Sequence, residues 1–312
     1  MERKVFYVIT VMVIFCAYPA YGRYSGGSGE PNDPYLIGTP ADLNDIRNHV
    51  EDYNKCFLMI NDINMADYTY TTAVIAPDIN NQTSGFQGTH FTGIFDGNEY
   101  AISNLDINDL GAGHDYLGLF GYVDDSNAQI LNLGIDIITV FGSYRSEYLG
   151  GLCGFNDGEI IDCWSDSLIR GQIESYSLGN LCGYNQNAIQ NCYSIGIVDS
   201  GDYSVFTGGL CGSNGGIIQN CHSTSSVTGG HDSFYLGGLC GYNNGNIMES
   251  YCAGPIIGGP LYLGGLCGQN GGRIHKCSSG SSVLAGAASS YIGGLCGDNQ
   301  YETSIITDCY AT

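Results

Sequence analysis

Basic residues are scarce in this chain: 9 Lys and Arg stand against 31 Asp and Glu, a formal net charge of -22 at pH 7. Such a surface repels phosphate backbones and anionic headgroups, which excludes nucleic acid and anionic lipid as partners. After the first 22 residues no apolar run is long enough for a membrane-spanning helix. Helical periodicity is rare, C-x-x-C does not occur, and HVEDY around His49 is not the H-E-x-x-H of a zinc protease. No metal, redox centre or cofactor is therefore expected.

What is abundant is glycine, 48 of 312 residues, with a hydrophobic share of 43% that argues against a disordered chain. Short runs of Ile, Val, Tyr and Leu bounded by Gly, Asn and Asp predict an all-β protein. Residues 1–22 read as a secretory signal: Arg3 and Lys4 precede an apolar run, and small residues follow it. Its removal leaves 30 acidic and 7 basic residues, and the chain is expected to be secreted or at the cell surface.

The motif GLCG recurs, placing Cys153, Cys182, Cys211, Cys240, Cys267 and Cys296 at spacings of 29, 29, 29, 27 and 29. A second cysteine follows each: Cys163, Cys192, Cys221, Cys252, Cys277 and Cys309. Asn156, Asn185, Asn214, Asn243, Asn270 and Asn299 each lie three residues after the first cysteine, at a turn where stacked amides could form a ladder. After the second cysteine, residues alternate, as Cys221, Ser223, Ser225 and Val227 show, which marks a strand with one face inward. A unit of this length cannot bury its own apolar face, whereas units stacked in register bury a continuous core. The expected fold is a right-handed parallel β-helix of about eight coils, roughly 38 Å long.

Two diverged early copies are counted in that eight, with Phe95 and Leu105, then Phe120 and Leu133, at the cysteine positions. Residues 23–55 are expected to form a leader with a helix over 40–52, started by Thr39-Pro40 and carrying Leu43, Ile46 and Val50 on one face as a cap. Residues 56–312 then form the solenoid, whose last copy reads as truncated after Thr312.

The copy Gly208-Gly209-Leu210-Cys211-Gly212, with Asn214, Ile218 and Cys221, resembles the GLUG-motif repeats of exported bacterial surface proteins, with cysteine where those repeats usually carry valine. PYLIGTPADLNDI and FTGIFDGNEYAISNLDI resemble the leader and first coil that precede such repeats. The resemblance covers most of residues 24–312. It implies a solenoid serving as an accessory module, sometimes attached to proteases or adhesins.

The cysteines fall in two core-facing columns, as buried thiols or as disulfides that export would permit. The fourth coil bears on the choice: Ser250 takes the second cysteine's place and Cys252 lies two residues on, a shift of ~6.6 Å along a strand. One bridge geometry therefore cannot serve every coil. Arg145, Arg170, Arg273 and Lys276, the basic residues of the repeats, form no cluster, and Asp124 with Asp125 reads as a polar turn. An enzyme is therefore not expected, a carbohydrate-active β-helix lyase or hydrolase being the alternative. The segments closing each coil vary, and their Tyr176, Tyr203, Phe234, Tyr235, Tyr262 and Tyr291 are expected to form an aromatic edge for a glycan or a surface protein.

Overall fold

A computed structural model describes residues 23–109, 111–259, 261–286 and 289–312; the expected secretory segment and Cys16 lie outside them. Each regular coil is four strands separated by corners, as in Tyr176–Gly179, Cys182–Asn185, Ala188–Gln190 and Tyr193–Ser200. Every strand pairs in parallel with its counterpart one coil away, giving sheets of six, seven, ten and fourteen strands. The protein is a parallel β-solenoid.

Register follows the repeat. Cys182 pairs with Cys211, Ile189 with Ile218 and Val198 with Val227. Inside, Leu181, Leu210, Leu239 and Leu266 form one fully buried column and Ile160, Ile189, Ile218, Ile247 and Ile274 another. Because each coil offers the same inward residues, stacking buries a continuous apolar core that no single coil has.

The corners explain the glycines. At Gly208 an added Cβ would lie 2.0 Å from the carbonyl oxygen of Cys211, and at Gly264 1.7 Å from that of Cys267. The chain turns so tightly before each cysteine strand that only a hydrogen atom fits. At the next corner the Asn side chain turns inward: Asn185 Nδ2 donates to Asn214 Oδ1 at 2.8 Å and Asn214 Nδ2 to Asn243 Oδ1 at 2.8 Å, continuing to Asn299. The amides from Asn156 to Asn243 also donate to backbone carbonyls of their own and the next coil, such as Gly216 and Asn246 for Asn214. These bonds satisfy buried polar groups at a corner where the ladder of strands is interrupted.

The start of the chain departs from expectation in three respects. The helix spans Pro40–Asn48, with Thr39 as its N-cap in a capping box with Asp42. Leu43 and Ile46 are buried, but the chain tightens into a 3-10 turn over Val50–Asp52, which leaves Val50 49% exposed. The leader also supplies a strand, Tyr35–Ile37, that pairs with Cys56–Met59.

The third departure concerns the first coil. Phe95 pairs with Ile130 in the ten-stranded sheet and does not enter the cysteine column, and Leu105, next to the Asp106–Thr139 pair, is level with Ile138. The position below Phe120 is Ile75, joined by an isolated bridge, and Phe91 sits below Val123. An inserted loop between Ile75 and Phe91 fills the place where later coils run straight through, and it displaces the glycine spacing that marks those coils. The cysteine sheet is accordingly seven strands deep, giving about seven turns.

Candidate functional site

The aromatic residues of the coil-closing segments divide into two environments. Tyr116, Tyr148, Ser177, Phe206 and Tyr235 occupy one corner of successive coils, each with a left-handed φ between 47° and 60°. That conformation costs free energy for bulky side chains and here recurs up the rod. Tyr262 and Tyr291 extend the column, with ring centroids 4.8 Å apart from Tyr235 to Tyr262 and 4.5 Å from Tyr262 to Tyr291, planes within 15°. Beside it on the cysteine strands, Phe155 stacks on Tyr184 at 4.8 Å and Tyr242 stacks on Phe206 at 4.9 Å.

These rings spend their faces on one another. Tyr176 is half-buried between Phe206 and Tyr148, and burial pushes its phenol up to about 12. Most of the expected edge is thus packing between coils.

Tyr203 stands apart from that stack, and Phe234 touches it, among the described residues, only through Tyr235, with ring centroids 6.0 Å apart. They line an open pocket with Asp232, Ser233, Gly259 and Leu261. Tyr203 is 51% exposed and has no ring partner among the described residues. Of the six expected aromatics, these two together offer an apolar wall next to a carboxylate, Asp232.

All thirteen described cysteines are free thiols. In the first column each Sγ donates to the carbonyl oxygen two residues on, at 3.1 Å for Cys153 and Phe155 and 3.0 Å for Cys211 and Ser213. Neighbouring coils are related by translation, so paired cysteines keep their Cβ atoms about one strand spacing, ~4.8 Å, apart. A disulfide needs about 3.8 Å and converging Cα–Cβ bonds. Burial pushes the thiols of Cys182, Cys240 and Cys267 in one column, and Cys192 and Cys221 in the other, well above their usual value. They are packing groups with poor nucleophilicity.

The fourth coil exchanges two columns. Ser250 accepts the Cys221 N–H at 3.1 Å, as Cys221 Sγ accepts that of Cys192 at 3.4 Å. Cys252 pairs with Ser223 and Ser279, and its thiol donates to Gly265 O at 2.8 Å, as Ser194 does to Gly209 O. Serine and cysteine have traded places. We expect the denatured, unreduced protein to titrate near thirteen thiols over residues 23–312; a count near one would establish systematic bridges instead.

Acid–base chemistry has one candidate that the sequence did not single out. Asp115 is pushed up to about 7, first by burial, with Glu147, Asp78 and Asp109 adding like charge. It accepts the Glu147 N–H at 2.7 Å. Nothing local to Asp115 signals this, since the burial comes from neighbouring coils. Ser143, Asp109 and His114 also meet, but the Ser143 hydroxyl donates to the Asp109 carboxylate and not to the imidazole. That arrangement ties a connection together and activates no nucleophile. Asp124 pairs with His90 at 2.8 Å, Arg145 with Glu174 and Arg170 with Asp199.

No family model matches the chain. A "Putative Gly-rich membrane protein" of Evansella cellulosilytica is 32% identical over 163 residues, covering 49% of this chain and 17% of that protein. "Halomucin" of Haloquadratum walsbyi is 38% identical over 132 residues, covering 42% of this chain and 1% of that protein. The chain thus spans less than a fifth of either relative. A crystal structure of a "putative immunoglobulin A1 protease" from Bacteroides ovatus superposes with a TM-score of 0.60 at 16% identity, covering 93% of this chain and 88% of that one. That likeness is one of fold. No helix among the described residues is long and apolar enough to cross a membrane.

Proposed function

We propose that this chain is an exported, non-catalytic β-solenoid module that binds an extracellular glycan through the pocket around Tyr203 and Phe234. The observation that carries the reading is the free ring of Tyr203 beside Phe234 and Asp232, since apolar walls with a few placed polar groups suit a sugar. The secretory pattern of residues 1–22, the resemblance to GLUG-type surface repeats, and relatives named as a membrane protein and a halomucin support a surface role.

A glycan array probed with the secreted protein tests this. Tyr203→Ala, at an exposed position that leaves the core intact, should weaken the strongest array signal about tenfold, a loss of ~1.4 kcal/mol. An array with no binder, or a binder indifferent to both Tyr203→Ala and Phe234→Ala, overturns the reading. The raised Asp115 beside Glu147 favours a second reading, a carbohydrate-active enzyme with Asp115 as general acid. Release of new reducing ends from a bound glycan, abolished by Asp115→Asn, would establish that reading instead.

A further inference from the structure

The fourteen-stranded sheet carries a second aromatic ladder, on outward positions remote in sequence from the coil-closing segments. Trp164, Tyr193, His222 and Tyr251 are in register on successive coils. Their planes are within 9°, 9° and 1° of parallel, and their centroids lie 6.0, 5.1 and 4.8 Å apart. Every ring face inside this ladder is covered by the next ring. At its N-terminal end the indole of Trp164 lies over Gly134, where an added Cβ would be 2.6 Å from the ring. One face is left over, that of Tyr251 toward the next coil.

The next coil has Ser278 at this position and the one after it has Tyr310. Tyr251 is 46% and Tyr310 64% exposed. The two tyrosine positions are two strand spacings apart, about 9.6 Å. A ring seated over Ser278 would lie about 4.8 Å from each, inside the range at which rings stack and matching the His222–Tyr251 separation. The ladder has a gap the width of one ring.

We propose that this gap is a slot for a single pyranose ring, held between Tyr251 and Tyr310 over the Ser278 hydroxyl. The inference rests on the glycan reading above and adds a second site on another sheet of the rod. The surroundings favour a sugar over an aromatic ring. Glu249, Lys276 and Asp308 sit two residues earlier on the three coils, all exposed, with Lys276 Nζ 3.5 Å from Glu249 Oε1. Together with the serine hydroxyl they offer hydrogen bonds to the rim of a hydroxylated ring, which a hydrocarbon ring would leave unused.

Ser278→Tyr should complete the ladder, and Ser278→Ala should leave the slot open. Saturation-transfer NMR with cellohexaose, laminarihexaose and mannohexaose, and with indole as an aromatic probe, reads the outcome. For a hexasaccharide that binds the native protein, Ser278→Tyr should raise the melting temperature and weaken the slot contacts about tenfold, Ser278→Ala, which leaves the slot open but removes one hydroxyl, should weaken them by less, and Tyr203→Ala should keep them. Slot contacts that survive in Ser278→Tyr, or that vanish only in Tyr203→Ala, overturn the slot and leave the Tyr203 pocket standing. Indole binding in preference to every sugar also overturns it. Silence from all three hexasaccharides overturns the slot, and the glycan array then decides the pocket separately.

Discussion

Asn214→Ala should lower the unfolding free energy by about 3 kcal/mol or more, because it orphans several buried groups at once. Its amide donates to Gly216 O, Asn243 Oδ1 and Asn246 O, and its Oδ1 accepts from Asn185. The alanine leaves the Asn185 donor without its side-chain acceptor, along with carbonyls that water cannot easily reach. Urea unfolding monitored by circular dichroism measures the loss; a change below about 1 kcal/mol would show that the ladder is decorative. The same change at Asn299 should cost less, since that residue is exposed at the last turn of the ladder. Asn214→Asp should be pH-dependent in a known direction. A carboxyl forced into this buried column has its folded pKa raised, so the deficit is smallest below the unfolded value of about 3.9 and grows as the pH rises above it.

Gly208→Ala is expected to be among the most damaging single methyls in the rod. Its Cβ would sit 2.0 Å from the Cys211 carbonyl oxygen and 2.8 Å from Gly241 N, both backbone atoms of strands paired on two sides. No side chain can swing away, so the corner must open, and a cost above about 4 kcal/mol follows from strain and lost pairing. Failure to accumulate as folded protein, or a collapse of the melting transition, is the expected result. Gly259→Ala is the matched control, since an added Cβ there meets nothing within 4 Å; equal stability of the two variants would refute the corner argument.

The Gly208 corner and the Asn ladder were largely legible in the sequence because they repeat at the period of the coil. A solenoid's interior is one cross-section copied along an axis, so the pattern that spaces Cys211 from Asn214 and Ile218 also fixes which residues meet from coil to coil. The first coil was misread where that argument lapses: Phe95 has the glycine neighbours of the motif, but the loop between Ile75 and Phe91 moves the register. Asp115 gave no signal because a raised carboxyl depends on what neighbouring coils lay over it. How the edge aromatics divide between packing and exposure was not legible for a related reason. Strand parity says which side chains point outward, but the left-handed corner at Phe206 and Tyr235 breaks parity. Of two neighbouring rings, Tyr235 therefore joins the stack on Tyr262 while Phe234 lines the open pocket.

The sequence by itself determined the all-β class, the stacked coils, the inward cysteine columns and the Ser250–Cys252 exchange, since each follows from period and alternation along one chain. Only the tertiary structure decided which aromatic faces are already covered and which are free. A ring's availability is set by its neighbour one coil away and by the tilt of a corner, and neither is written in the spacing of the repeat.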